Sequence, residues 1–275
     1  MRIEMRERVG AHGVIGRCEK VRVMHDSLST GPRWYVISLR PRGQHQRLRD
    51  AARRFGHAVI ALSPVRIAMH EDGATRAALH DALACDVVVF TSPNAVAAAK
   101  ALQPLAATAN AVALGDGTAQ ALRRAGIRDV AKPARMDSDG VLALPVFDAI
   151  DGRSVGVVTA PGGRDLLAPA LQARGARVVR ADVYAREPCG LPRTGLRALR
   201  GADGRLAIAL SSGEALDLAT AQLEPADLAR LRRARVLAAS ERLAAHAKRL
   251  GFDDIVVADG PRPAQLVAAL NRSDR

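Results

Sequence analysis

Aromatic residues are scarce in this 275-residue chain: one Trp, two Tyr and four Phe, 3% of the sequence. Its core must therefore be assembled from Ala, Val, Leu and Ile. The same scarcity argues against binding of single-stranded nucleic acid, which uses aromatic platforms for the bases. The three cysteines, Cys18, Cys85 and Cys189, are odd in number and far apart. They define neither a disulfide framework nor a metal-ligand spacing, and they suit a reducing cytoplasm. The seven histidines show no metal spacing either. No apolar run approaches the roughly 18 residues of a membrane span, and no apolar segment near the start resembles the centre of a signal peptide.

Acidic residues are outnumbered, 28 against 41 Lys plus Arg, leaving a net charge of +13. Such a surplus suits a polyanionic partner: nucleic acid, an anionic membrane surface, or a polycarboxylate or phosphate ligand. An Arg- and Ala-rich composition produces the same surplus without any partner. The basic residues are scattered rather than run together, which argues against a nucleic-acid-binding tail. Residues 1–33 carry charges and Gly10, Gly13 and Gly16 without helical or strand periodicity. They read as a disordered extension, with Met24 as an alternative start.

What the chain does contain is a long internal repeat. Phe55-Gly56-His57-Ala58-Val59 followed by an apolar run is answered by Arg174-Gly175-Ala176-Arg177-Val178 followed by another, an offset of 119 (175 − 56). Gly126-Ile127 is answered by Gly251-Phe252, an offset of 125 (251 − 126). A period this long marks a duplicated folding unit rather than a solenoid. Short apolar runs predict strands over 34–39, 58–62, 86–90, 111–114, 155–159, 178–183, 206–210, 235–239 and 254–258. Ala-, Leu- and Arg-rich stretches between them predict helices, among them 93–102, 118–125, 164–174, 213–222 and 241–250. In each half the second strand runs into a polar connector. Alternation of strand and helix implies an α/β protein with parallel sheets covered on both faces. Gly56, Gly126, Gly175 and Gly251 sit where left-handed helix C-caps are expected. Ser92-Pro93 and Ser240-Glu241 read as helix starts.

In parallel α/β sheets ligands bind beyond the carboxyl ends of the strands. The turns there are Arg40-Pro41-Arg42-Gly43-Gln44, Thr91-Ser92-Pro93-Asn94, Gly115-Asp116-Gly117-Thr118, Thr159-Ala160-Pro161-Gly162-Gly163-Arg164, Ser211-Ser212-Gly213 and Ser240-Glu241-Arg242. Hydroxyls and free backbone N–H groups at helix starts are equipment for holding an anion. Any single Ser or Thr in such a place is more often an ordinary N-cap; six such turns on one rim shift the balance toward a site. None is a nucleotide fingerprint. Gly115-Asp116-Gly117 lacks the third glycine of a dinucleotide loop, and Pro161-Gly162-Gly163-Arg164 lacks the Lys-Ser/Thr of a P-loop. No nucleophile elbow is visible.

In their order, these segments resemble the uroporphyrinogen-III synthase family. The resemblance is carried by Phe90-Thr91-Ser92-Pro93-Asn94-Ala95-Val96, Gly115-Asp116-Gly117-Thr118-Ala119, Thr159 to Arg164, Val183-Tyr184-Ala185-Arg186, Ser211-Ser212-Gly213-Glu214-Ala215-Leu216, Ala239 to Arg242 and Gly260-Pro261-Arg262-Pro263. It implies two similar parallel-sheet lobes of flavodoxin/Rossmann type, joined by a two-stranded hinge that the chain crosses twice. Mapped here, lobe one takes 34–65 plus 189–275 and lobe two takes 70–182, with connectors over 64–69 and 183–188. Each sequence repeat is then split between lobes.

The resemblance also implies a cyclising hydro-lyase of tetrapyrrole biosynthesis. The linear tetrapyrrole hydroxymethylbilane loses water and closes with inversion of ring D, without metal or organic cofactor. Tyr184 would assist departure of the hydroxyl. Carboxylates of the substrate would be held by Arg40, Arg42, Thr91, Ser92, Gly117, Thr118, Thr159, Arg164, Ser211, Ser212, Ser240 and Arg242. Beside Ser240, where another family member can carry a hydroxyl, this chain has Glu241 and Arg242. The implied protein is a cytoplasmic monomer with a polycarboxylate small-molecule partner, no nucleic acid and no membrane, and a transient contact with the preceding pathway enzyme. The competing reading is a two-lobed anion-binding or sensor protein, which would use the same turns and would not need Tyr184.

Overall fold

The computed structural model describes residues 33–105, 110–135, 138–162 and 167–272. The expected extension over 1–33 lies outside the described residues except for Arg33, and Arg164 lies outside them too. The described residues form twelve strands: β1 (Trp34–Ser38), β2 (Ala58–Ala61), β3 (Val65–Met69), β4 (Val87–Phe90), β5 (Ala111–Ala113), β6 (Val130–Ala131), β7 (Ser154–Thr159), β8 (Arg177–Asp182), β9 (Tyr184–Pro188), β10 (Arg205–Leu210), β11 (Arg235–Ala238) and β12 (Ile255–Val257). The helices are α1 (Gln46–Arg53), α2 (Gly73–Leu83), α3 (Pro93–Leu102), α4 (Asp116–Arg124), α5 (Ser138–Leu142), α6 (Leu167–Ala173), α7 (Arg193–Gly201), α8 (Gly213–Thr220), α9 (Pro225–Arg232), α10 (Glu241–Arg249) and α11 (Pro263–Arg272).

Two five-stranded parallel sheets carry the fold. Sheet I runs β2-β1-β10-β11-β12 and sheet II runs β8-β7-β4-β5-β6. Read in repeat units, both have the flavodoxin-type order 2-1-3-4-5. In each, the first two strands come from one repeat and the last three from the other. The duplicated units are thus interleaved, and the chain crosses between lobes twice. The crossings are β3 and β9, which pair antiparallel from Val65 opposite Pro188 to Met69 opposite Tyr184. This ribbon is the hinge.

Side-chain alternation explains why each sheet is buried on both sides. In sheet I, Ile37, Ile208, Leu210 and Val236 pack into one cluster, while Val36, Ala207, Ala209 and Leu237 pack into the other. In sheet II, Val88, Phe90 and Ala113 face one cluster, and Val87, Val89 and Val112 the other. Successive strand residues point to opposite faces, so apolar runs such as Val87–Phe90 are required when helices cover both. Small residues set the closest approaches. Gly156, in the middle of β7, faces α2 so closely that a Cβ there would collide with the Ala82 carbonyl oxygen. Gly56, Gly126, Gly175 and Gly251 all adopt positive φ, between 70° and 102°, just past the ends of α1, α4, α6 and α10, the left-handed turn that glycine supplies without strain.

Candidate functional site: an arginine-lined cleft

The cleft forms where strand ends of both sheets meet. After β4 the chain makes a cap: Ser92 Oγ accepts the Ala95 N–H at 3.1 Å, with Pro93 first in α3. After β10, Ser212 caps α8 by accepting the Ala215 N–H at 3.3 Å, and after β11, Ser240 caps α10 by accepting the Leu243 N–H at 3.4 Å. Gly115 occupies the same place before α4 and has no side chain to offer. Local chemistry thus places four helix N-termini, with their partial positive charge, at strand ends.

A cavity of about 920 Å³ lies between the lobes. Sheet I contributes Arg40, the α1 residues Arg47, Asp50 and Ala51, Arg54 just past α1, and the turn from Asp259 to Gln265 that leads into α11. Sheet II contributes Thr91, Pro93 and the turn from Leu114 to Thr118. A smaller cavity of about 180 Å³ shares Arg40 and is lined by Gln44, Asn94, Arg186, Ser211 and Ser212, among others. It sits beyond β1 and β10, where strand order reverses in sheet I, the expected position for a ligand in an open α/β sheet. At the corresponding point of sheet II, Thr91 Oγ1 donates to Thr159 Oγ1 at 2.9 Å.

Among the described residues, side-chain hydrogen bonds join the lobes across this space. Gln44 Nε2 donates to Asn94 Oδ1 at 2.7 Å, Arg47 Nη2 to Gln120 Oε1 at 3.3 Å, and Arg262 Nη2 to Asp116 Oδ2 at 3.1 Å. Asp116 also receives Lys132 Nζ at 2.5 Å. That bond, the charge of Lys132 and, more weakly, Arg262 hold its carboxyl below the usual carboxylate range. Burial lowers the basicity of the Arg40 guanidinium, and the nearby charge of Arg47 lowers it further.

Of the residues singled out in the sequence, Arg40, Thr91, Gly117 and Thr118 line the larger cavity, and Arg40, Ser211 and Ser212 the smaller. Thr159 is buried against Thr91. Arg42 donates Nη2 to the Gly190 carbonyl at 2.9 Å and lines neither cavity. Ser240 caps α10, and Arg242 is exposed beyond both cavities. Tyr184 is 6% exposed; its hydroxyl lies 2.9 Å from Ser92 Oγ, and neither residue lines either of these two cavities. Arg47, Arg54 and Arg262 were not singled out. Arg47 and Arg54 stand seven residues apart, two helical turns, and Arg262 is flanked by Pro261 and Pro263.

Beneath the cleft, His45 is buried between two buried serines. Its Nδ1 lies 2.9 Å from Ser38 Oγ and its Nε2 2.9 Å from Ser63 Oγ. This bridge ties the end of β1 and the start of α1 to the approach to the hinge. Burial, then the charges of Arg49 and Arg40, hold the imidazole below its ordinary value.

Fold and site define a class: paired flavodoxin-type lobes, interleaved through a ribbon hinge, around a basic cleft. The family model described as Uroporphyrinogen-III synthase HemD matches residues 46–268, and the chain belongs to the uroporphyrinogen-III synthase family. Curated relatives are the uroporphyrinogen-III synthases of Salmonella typhimurium, 36% identical over 163 residues, and Escherichia coli, 32% identical over 162 residues. Each alignment takes in 58% of this chain and 65% of the relative. Among solved structures, a mutant uroporphyrinogen III synthase of Thermus thermophilus shares the fold with a TM-score of 0.52 at 19% identity, over 87% of this chain and 98% of that one. The uroporphyrinogen-III synthetase of Helicobacter pylori does so with a TM-score of 0.56 at 17% identity, over 88% and 99%. Among the described residues no helix is long and apolar enough to cross a membrane.

Proposed function

We propose that this chain converts hydroxymethylbilane to uroporphyrinogen III and water. The observation that carries the reading is the cavity of about 920 Å³ with Arg40, Arg47, Arg54 and Arg262 on its wall, in a chain of this family. The substrate carries eight carboxylates, and guanidinium groups and helix N-termini are the donors that match them. The reaction starts with loss of the terminal hydroxyl as water, leaving an azafulvene cation. Ring D attacks through its substituted carbon, and the spiro intermediate breaks and recloses with the ring inverted. The electron-rich pyrroles supply the reactivity. The protein holds the folded chain so that closure without inversion does not compete, catalysis by orientation worth several kcal/mol.

Tyr184 is the donor to the departing hydroxyl. Ser92 Oγ already accepts the Ala95 N–H; when its own proton points to the Tyr184 oxygen, the phenolic proton is free for the substrate, and the chained bonds strengthen one another. Tyr184 is near-buried and is the first residue of β9, in the hinge ribbon, and movement of the lobes about that ribbon is what would bring substrate to it. We assign 34–65 plus 189–275 to one lobe, 70–182 to the other, and 64–69 and 183–188 to the hinge. The protein works as a cytoplasmic monomer that takes its unstable substrate from the enzyme that makes it. The test is to supply hydroxymethylbilane and resolve the product isomers. Isomer III is expected. Isomer I alone, the product of unassisted closure, would leave a two-lobed binding protein instead.

A further inference from the structure

We infer that Arg47, together with Arg40, forms a carboxylate subsite that spans the two lobes. Arg47 projects from the exposed side of α1, opposite the buried Leu48 and Ala52. It reaches the other lobe: Nη2 donates to Gln120, and Nη1 lies 3.8 Å from where a Cβ on Gly117 would stand. It therefore lies over the first turn of α4, whose cap, Gly115, supplies no side-chain acceptor. Arg40 enters the same cavity from the end of β1.

Arg40 and Arg47 line the same cavity, where burial first and then the charge of Arg47 lower the basicity of the Arg40 guanidinium, so their like charge carries a cost here. Among the described residues no ion pair offsets it at Arg40 or Arg47. Of the three carboxylates on the cavity wall, Asp50, Asp116 and Asp259, two are engaged with other side chains. Asp116 is held by Lys132 and Arg262, and Asp50 accepts from Gln46 at 2.8 Å. A ligand carboxylate seated here would meet two planar donor forks and a helix N-terminus at once. Because both forks belong to the first lobe and the helix to the second, the occupied subsite would hold the lobes together. The amide of Gln120 is a neutral stand-in that Arg47 would leave when the ligand arrives.

The subsite rests on the proposed reading for the identity of its ligand, and the experiment separates the two. The probe is uroporphyrin III, the stable oxidised form of the proposed product, titrated by fluorescence at several salt concentrations. Arg47 is exposed, so Arg47→Gln leaves the fold intact, as its melting curve will verify. It should weaken binding about tenfold and flatten the salt dependence. In the turnover assay the loss should fall on KM rather than kcat, the signature of uniform binding. Gln120→Ala is the control, since it removes the cross-lobe bond and keeps the guanidinium; it should bind the probe at least as tightly as the unchanged protein. Equal affinity of Arg47→Gln and the unchanged protein overturns the subsite. So does a loss on Gln120→Ala as large as that on Arg47→Gln, which would make Arg47 an inter-lobe strut. If the unchanged protein makes no isomer III, the proposed function fails and the probe titration still decides the subsite.

Discussion

The hydroxyl of Tyr184 lies 2.9 Å from that of Ser92, and this contact joins the hinge ribbon to the helix cap after β4, 92 positions earlier in the chain. The Tyr184 ring belongs to the apolar cluster that contains Phe90, Ala95 and Val158, so the phenol is fixed at both ends. Tyr184→Phe removes only the hydroxyl. Its stability cost should be about 1 kcal/mol, the net worth of one hydrogen bond, while formation of isomer III should slow by about 10²- to 10⁴-fold, the usual contribution of a positioned proton donor. Ser92→Ala should lose about 1 kcal/mol of capping and slow turnover less than Tyr184→Phe does. Measurement of kcat for both variants, with urea melts alongside, checks the pair; an unchanged rate in Tyr184→Phe removes the residue from the mechanism.

Gly156 is the tightest point of the second lobe. A methyl group there runs into the Ala82 carbonyl oxygen, with two more backbone atoms of Ala82 within 3.0 Å. A backbone wall cannot rotate aside as a side chain can, so α2 must be pushed off the sheet. Gly156→Ala should cost about 3 kcal/mol or more, at the upper end of overpacking, and should lower the urea midpoint without changing the slope. Gly73→Ala, at the first residue of α2 with open space around it, should leave the midpoint nearly unmoved and serves as the comparison.

The readable parts of this fold share one property. Strands β4 and β7 are buried from end to end, with valine-rich centres, because helices cover both faces, and the cleft turns show themselves because a helix start needs Ser92, Ser212 or Ser240 as its cap. Both signals are local. By contrast, α2 (Gly73–Leu83) reads as a polar connector, since only Leu79 and Ala82 of its eleven residues are buried. The hinge strands were legible from the residues as connectors, and as a two-stranded pair only through the family resemblance, because their bonding partners are more than a hundred residues away. Periodicity alone suggests two contiguous lobes; only strand pairing reveals that β1 and β2 join β10 to β12. Arg47 was illegible for the same reason. On the helix surface it resembles any exposed arginine, and what distinguishes it is Gln120, 73 residues further on.

His45 gives stability a pH dependence of known sign. Burial lowers its value in the folded protein relative to the ordinary 6.5, and the charges of Arg49 and Arg40 lower it further. The unfolded chain therefore binds a proton before the native one does. The histidine's contribution to stability is whole above about 6.5 and is lost as pH falls from there through the depressed native value. Thermal melts between about pH 8 and 5 should show stability falling on the acid side of that ordinary value. His45→Gln should flatten that decline. At the alkaline end it should be less stable than the unchanged protein, because the bridge between Ser38 and Ser63 is lost. An equally steep acid decline in the variant would assign the slope to other groups.

Asp116 and Arg262 form an exposed bridge across the cleft at 3.1 Å, and breaking it from either side should have opposite effects on ligand affinity. Exposed pairs contribute little to stability, so neither variant should disturb folding. Asp116→Asn removes a negative charge from the cavity wall and frees the Arg262 guanidinium, and a polycarboxylate should then bind up to about fivefold more tightly, the scale of one solvent-screened charge contact. Arg262→Gln breaks the identical bridge and leaves Asp116 facing the ligand, so binding should weaken by a similar factor. Asp116 stays ionised throughout the neutral range, because Lys132 and Arg262 hold its carboxyl below the usual value. Its contribution is present above the ordinary carboxylate value of 3.8 and is lost only as pH falls through the depressed one, so substitution rather than acidification exposes it. Titration of both variants with uroporphyrin III at one salt concentration gives the comparison. Two shifts of the same sign would mean that the bridge acts by closing the lobes, and that Arg262 does not meet the ligand.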